Sequence, residues 1–230
     1  MLTITGDRHL VFRQFRNYVE RQTILPDQWI IVDDGQVTTP VEASFPVTYI
    51  RRKYHPHKVV SFCRNMVTGI QAVEYDKVII MEDDDWYHRK YIERCCQRLQ
   101  GNDLVGEMYT VYYNVRYREF YVNPNTKHSS LCQTAFRPES GLKEFIEQRC
   151  GLEDSTFLDC HMWQFAANKA LSRFNFEERL CIGMKGLPGR AGIGAGHRKH
   201  PEKYTRDNKW QALIDFVGEE DARFYMELDL

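Results

Sequence analysis

The stretch Val78-Ile79-Ile80-Met81-Glu82-Asp83-Asp84-Asp85-Trp86-Tyr87 runs an apolar segment straight into four consecutive carboxylates. The apolar part has the length and β-branched content of a buried strand. Four acidic side chains at its end repel one another and lose hydration wherever that end is partly buried, so a compensating cation is expected. Hard oxygen ligands suit Mg²⁺ or Mn²⁺, and magnesium usually takes one or two protein carboxylates together with phosphate oxygens. Taken alone, the residues fit equally well a solvated acidic turn that opens the next helix.

A second apolar strand has the same ending, Trp29-Ile30-Ile31-Val32-Asp33-Asp34-Gly35. Ligands of open α/β sheets bind beyond the carboxyl ends of the strands, so two strands delivering carboxylates to one edge describe a site. Between and around them the pattern alternates. Val11, Phe15, Tyr18 and Val19 fall at helical spacing after a first strand, Met1 to Ile4. A short strand is expected at Val47 to Ile50, and a helix carries Val59, Val60, Phe62, Met66, Ile70 and Val73. The central strand is read over Lys77 to Met81, followed by a helix with Tyr91, Ile92 and Leu99. Strand and helix in alternation predict a parallel sheet covered on both faces.

From Leu104 the pattern becomes aromatic strands, Met108 to Tyr113 and Arg116 to Val122, with Asn123-Pro124-Asn125 as a turn. Their alternation predicts antiparallel pairs. One more strand is expected over Leu131 to Phe136, helices near 141–149 and 157–171, and a strand near Leu180 to Met184. A glycine-rich stretch, GMKGLPGRAGIGAGH at 183–197, then precedes a basic segment and two short terminal helices. It lacks the Gly-Lys-Ser or Gly-Lys-Thr ending of a Walker loop. Glycine at this density permits backbone close to a ligand and a closing lid.

Three segments resemble the family-two-like glycosyltransferases of the A-type fold, which use nucleotide sugars. ITGDR with RQTILPDQWIIVDDG is similar to that family's first strand, helix and second strand. SFCRNMVTGIQAVEYDKVIIMEDDDWY is similar to its Arg-Asn helix and Asp-x-Asp strand, and GLEDSTFLD to its Glu-Asp acceptor-side motif. The resemblance covers roughly the first two thirds of the chain. It implies a single α/β domain over 1–230, with a nucleotide-sugar and metal half at 1–100. An acceptor half with a small antiparallel region would follow at 101–230. It also implies an inverting, metal-dependent transfer from a nucleotide-diphosphate donor, UDP-sugar first, with Mn²⁺ or Mg²⁺ as cofactor.

Carried over residue by residue, the resemblance places Asp83 at the donor ribose and metal and Asp85 on the metal. The register within Glu82 to Asp85 stays open by one residue. Asp34 matches a base-reading aspartate, the alternative being a turn-forming Asp before Gly35. Thr5 and Arg8 match positions lining the nucleotide, although Gly6 stands where the family usually carries an aromatic. Arg64 matches an arginine facing the donor, and Lys185 and Arg190 are further donor-contact candidates. His197, closing the glycine-rich stretch, matches a late histidine that completes the metal shell. Asp154 of Glu153-Asp154 is the first candidate for the base that deprotonates the acceptor hydroxyl, and Asp159, one turn on, competes with it.

At 230 residues the chain is long enough for one sizeable core. Its 43% apolar and 27% charged residues exclude a disordered or fibrous chain. No apolar run approaches the roughly 18 residues of a membrane span, and the opening carries no signal-peptide pattern, so a cytoplasmic protein without a membrane anchor is expected. Seven cysteines without Cys-x-x-Cys pairs predict reduced, packed thiols. The formal charge is −1, but His197 to Lys209 is basic and interleaved with Tyr204, as Arg116 and Arg118 are with Tyr112, Tyr113, Tyr117 and Tyr121. That pattern suits splayed bases and phosphates as well as sugars. The acceptor is therefore read as a saccharide or as hydroxymethylpyrimidine DNA. A nucleotidyltransferase and a catalytically idle nucleotide-sugar-binding module remain the readings from other classes.

Overall fold

The computed structural model describes residues 1–154, 158–190 and 201–230. Three parallel strands open the chain: β1 (Leu2–Thr5), β2 (Trp29–Asp33) and β3 (Val47–Arg51), ordered β1-β2-β3. The central strand is regular only over β4 (Val78–Ile79), but Leu2 bridges Ile80 in parallel and Met81 N–H donates to the Leu2 carbonyl. Those contacts join the opening strands to a second group, β10-β6-β9-β4, which contains β6 (Leu104–Glu107), β9 (Thr134–Phe136) and β10 (Arg173–Phe176). Strand β9 is antiparallel to both neighbours, and β10 is parallel to β6.

Side-chain alternation along the strands explains why both faces are covered. In β2, Trp29 and Ile31 enter one apolar cluster while Ile30 and Val32 enter the other. Ile79 likewise joins the first, and Val78 and Ile80 the second. Helix α1 (His9–Glu20) packs Phe12, Phe15, Tyr18 and Val19 into the first cluster, with α3 (Tyr91–Arg98) and the terminal α6 (Gln211–Val217) and α7 (Glu219–Met226). On the other face lie α2 (Lys58–Gln71), α4 (Leu142–Gly151) and α5 (Leu158–Asn168). A Cβ on Gly69 would come within 2.4 Å of Leu2 Cδ1 and 3.2 Å of Val32 Cγ2, so glycine is what lets α2 sit this close to the sheet.

A third group, ordered β12-β8-β7-β11-β5, stands beside the acidic cluster. It comprises β5 (Trp86–Tyr87), β7 (Val111–Asn114), β8 (Glu119–Val122), β11 (Cys181–Lys185) and β12 (Thr205–Arg206). Pairing of Ile182 with Trp86 and Cys181 with Tyr87 carries the start of the glycine-rich stretch to the end of the central strand.

Several boundaries depart from the periodicity. The strand expected over 108–113 breaks because Tyr109 takes φ 56°, which leaves β6 and β7 separate. Arg118 at φ 50° shortens the next strand to β8, and Leu131–Gln133 coils into a 3₁₀ turn before β9. All seven cysteines are free thiols. Among the described residues no helix is long and apolar enough to cross a membrane.

Candidate active site

The strand ends converge as the two acidic endings require. Asp33 and Asp34 end β2, and Glu82 to Asp85 follow the central strand one strand away. Asp83 is buried, and both of its oxygens are engaged: Thr5 Oγ1 donates to Oδ2 at 2.6 Å and Arg8 to Oδ1 at 2.5 Å. Arg8 also pairs with Asp84 at 3.2 Å. Thr5, Arg8 and Asp83, assigned together from the sequence, are thus in direct contact.

Asp85 faces the other way. Its Oδ1 accepts from Met184 N–H at 2.8 Å and from Lys185 Nζ at 3.2 Å, while its Oδ2 is buried with no hydrogen-bond partner. The ligand atoms of Glu82, Asp84 and Asp85 lie within 4.8 Å of one another. The geometry therefore groups Asp85 with Glu82 and Asp84, whereas Asp83, placed on the metal by resemblance, is occupied by Thr5 and Arg8. Counted as ionised, the four carboxylates outnumber the two paired cations, Arg8 and Lys185, by two. Burial, with Asp85 and Asp84 beside it, pushes the Glu82 carboxyl up to about 8. Burial pushes Asp83 up to about 6 against the pull of Arg8. Burial also opposes the charge of Lys185, but Asp85, Asp84 and Glu82 outweigh it and hold the ammonium well above its usual range.

At β2 the two aspartates divide the work. Asp33 makes the turn: its Oδ1 accepts from Gly35 N–H and its Oδ2 from Thr39 N–H, each at 2.8 Å, with Tyr49 and Arg51 also bound to it. The turn role that sequence offers as an alternative for Asp34 thus belongs to Asp33. Asp34 instead faces a cleft of about 80 Å³, lined by Thr5, Gly6, Arg8, Ser61, Asn65 and Arg190 among others. Arg190 NH1 pairs with Asp34 Oδ1 at 2.8 Å, and the hydroxyl of Ser61 donates to Oδ2. A Cβ on Gly6 would lie 3.0 Å from Asp34 Oδ1 and 3.2 Å from Arg190 NH1. The missing aromatic at that position is therefore what allows the arginine to reach the aspartate.

Sequence reasoning missed two cleft residues. Ser61 and Asn65 share with Lys58 and Phe62 the i, i+3, i+4, i+7 face of α2. Ser61 and Asn65 recurring at helical spacing among the apolar positions of α2 were the available signal. Asn65 is 1% exposed, and neither atom of its amide group has a partner.

The acceptor-side candidates are held differently. Arg64 on α2 pairs with Glu153 at 2.7 Å, and Arg149 with Asp154 at 3.3 Å, all four toward the surface. Asp159 Oδ1 accepts from Cys160 N–H, and its carboxylate lies with His128 and Cys160. His197 lies outside the described residues.

The family described as Glycosyl transferase family 2 matches residues 11–170. The chain belongs to glycosyl transferase family 2. A curated relative, the uncharacterized glycosyltransferase YwdF of Bacillus subtilis (strain 168), is 22% identical over 178 residues, covering 72% of this chain and 65% of its own length. A Pyrobaculum calidifontis mannosyltransferase solved with GDP-Man and Mn²⁺ matches at TM-score 0.57 and 12% identity, over 99% of this chain and 69% of that one. S. aureus TarS 1–349 in complex with UDP matches at 0.53 and 9%, over 80% and 60%. Those likenesses show the A-type glycosyltransferase fold, and the chain spans about two thirds or less of the length of the first relatives it matches. Within this family-two chain, the Asp-Asp and Glu-Asp-Asp-Asp endings stand at the ends of two strands that flank β1.

Proposed function

We propose that the chain transfers a sugar from a nucleotide-diphosphate donor to an acceptor hydroxyl, with inversion and with a divalent metal held by the acidic cluster. The observation that carries this reading is Asp85 Oδ2, a buried carboxylate oxygen without a partner beside the ligand atoms of Glu82 and Asp84, at the donor edge of a family-two fold. A buried oxygen of this kind lacks compensation unless a cation supplies it. The oxygen donors of Glu82, Asp84 and Asp85 fit Mg²⁺ or Mn²⁺. Bound there, the cation would neutralise the departing diphosphate.

The protein's own residues do the rest. Thr5 and Arg8, which line the cleft, fix Asp83 behind them, and its carboxylate would meet the donor ribose. Asp34 and Ser61 offer polar atoms to a nucleobase, with uracil first because a carboxylate accepts its imide hydrogen. Lys185 and Arg190 bring positive charge to the diphosphate, which requires Arg190 to leave Asp34 when a donor enters. For the base we favour Asp154. The Arg64–Glu153 pair sets its segment beside helix α2, whereas Asp159 Oδ1 is engaged by the Cys160 N–H. Asp154 would take the acceptor proton as the oxygen attacks in line, and His197 would complete the metal shell.

A saccharide acceptor is favoured over hydroxymethylpyrimidine DNA. Tyr112 and Tyr113 are buried, Tyr121 packs on Tyr204, and Trp210 lies between Tyr113 and Arg118, so these rings support the fold more than they present faces to bases. The test is a thermal-shift panel of UDP- and GDP-sugars with and without Mn²⁺, followed by product analysis. A donor at about 100 times its dissociation constant should stabilise the fold by about 2.7 kcal/mol. Release of nucleoside diphosphate supports transfer. Pyrophosphate would mean a nucleotidyltransferase, and metal-dependent binding without turnover an idle binding module.

A further inference from the structure

A second cluster of ligand-type side chains lies apart from the carboxylates at Asp85. His128, in the segment between β8 and β9, brings Nε2 to 3.1 Å from Cys160 Sγ. Asp159, beside Cys160 in the first turn of α5, completes a group whose three ligand atoms all lie within 4.8 Å of one another. All three residues are half-buried, and none belongs to the donor cleft. We propose that His128, Asp159 and Cys160 form a binding site for a borderline-soft divalent cation of the Zn²⁺ class, separate from the hard-cation site at Asp85.

The donor set and the spacing both support it. Thiolate and imidazole select zinc-like ions, whereas carboxylate-only sets suit magnesium and manganese, so one protein can sort two metals between two sites. In a tetrahedral zinc site, Zn–S of about 2.3 Å and Zn–N of about 2.0–2.1 Å put sulfur and nitrogen about 3.5 Å apart. Here they stand at 3.1 Å, so a change of a few tenths of an ångström would admit the ion. Three protein ligands leave the fourth position for water or another group, as in open zinc sites. On binding, the Cys160 thiol proton passes to solvent and a sulfur–metal bond forms, with no oxidant or reductant involved. Asn125 Nδ2 lies 2.6 Å from Nδ1 and 2.7 Å from Nε2 of His128, so the amide turns away from Nε2 when the ion binds.

Placement gives the site a consequence. Ser130, two residues from His128, bonds the Tyr112 hydroxyl at 2.5 Å, and the Tyr112 ring lies 5.9 Å from Lys185 Nζ, which pairs with Asp85. The cation would thus clamp the 123–130 segment to the start of α5, close to the Tyr112 ring that lies beside Lys185.

Cobalt reads the site directly. Co²⁺ titrated into the full chain should give a near-ultraviolet thiolate-to-cobalt charge-transfer band and tetrahedral d–d bands, saturating at one equivalent and displaced by Zn²⁺. Both should vanish in Cys160→Ser and His128→Gln and persist in Asp85→Asn and Cys132→Ser. Circular dichroism and melting of the metal-free variants check that loss of signal is not loss of fold; should Cys160→Ser unfold, Cys160→Ala takes its place. A band lost in Cys132→Ser and kept in Cys160→Ser would move the ion to the buried Asp85, Cys132 and Cys181 group and overturn the proposal. Absence of any thiolate band would do so as well. Because the readout is absorption and not transfer, failure here leaves the transferase reading standing, and an inactive transferase leaves this site standing.

Discussion

The strand-end cluster that we propose binds the donor and the Glu-Asp segment that we propose faces the acceptor carry carboxylates of opposite character. Asp33, Asp34, Asp83 and Asp85 are each at most 2% exposed. Each is held by groups from distant segments, such as Thr5 and Arg8 on Asp83 or Met184 and Lys185 on Asp85. Glu153 and Asp154, by contrast, have side chains 41% and 60% exposed, and among the described residues their ion pairs are with Arg64 and the half-buried Arg149. A buried network with fixed partners is preorganised for charge that develops in a reaction. Surface ion pairs, screened by water, fix little. The proposed donor end is therefore built before any ligand arrives, and on the same proposal the acceptor end would take its geometry from ligands to a greater degree.

The largest expected effect tests the built end. Asp85→Asn keeps an oxygen to accept from Met184 N–H but removes the charge. Turnover should fall by about 10³-fold or more, as when a group stabilising developing charge is lost, and the Mn²⁺-dependent part of donor binding should disappear. A melting curve close to that of the parent would accompany it. Unchanged Mn²⁺ dependence would break the comparison, because the buried network would then be structural alone.

The next prediction tests the looser end. Asp154→Asn should lower turnover by about 10²- to 10⁴-fold, the usual contribution of a general base, with donor affinity nearly unchanged. Asp159→Asn is the control; a larger loss there than in Asp154→Asn would move the base into α5. A smaller effect is expected at the cleft. In Arg190→Ala, UDP affinity should drop about 10- to 150-fold, since a charge-assisted hydrogen bond is worth roughly 1.5–3 kcal/mol. Uridine affinity should hold or rise, because Asp34 loses a competitor. Isothermal titration with both ligands measures the split, and equal losses for the two would show that Arg190 acts only by shaping the cleft.

The donor end was also the legible one. An apolar run ending in carboxylates can be read without coordinates, because burial and charge are both written in the residue types. Two such endings in register placed Asp34, Asp83 and Asp85 at one edge, and helical spacing located α1 and α2. What escaped was the division of labour between neighbours. Sequence left the turn and the base-reading role together on Asp34, yet the side chain two residues before the Gly35 N–H is the one that closes the turn. The third group of strands was less legible still. Tyr109 and Arg118 at positive φ break apparently continuous β patterns, which residue type does not reveal. Its pairing with the acidic strand rests on β5, two residues long, so nothing periodic announced that Lys185 would reach Asp85.

The smallest expected effect sharpens the comparison most directly. Arg64 and Glu153 join the donor-side helix α2 to the acceptor-side Glu-Asp segment at 2.7 Å, and their side chains are 46% and 41% exposed. Pairs this exposed are worth about 0–1 kcal/mol, because water screens the attraction and two long side chains must be ordered to form it. A double-mutant cycle of Arg64→Ala, Glu153→Ala and the combination should therefore give a coupling below about 1 kcal/mol in stability, and added salt should reduce it further. The same cycle in kcat/KM should report more than the cycle in stability, since Arg64 matches a donor-facing position and Glu153 adjoins the base. If stability coupling instead reaches the 3–5 kcal/mol that follows breakage of a buried pair, the acceptor end is as firmly built as the donor end and the contrast fails. If both couplings vanish, the bridge does not form in solution, and the Glu-Asp segment is positioned by its acceptor alone.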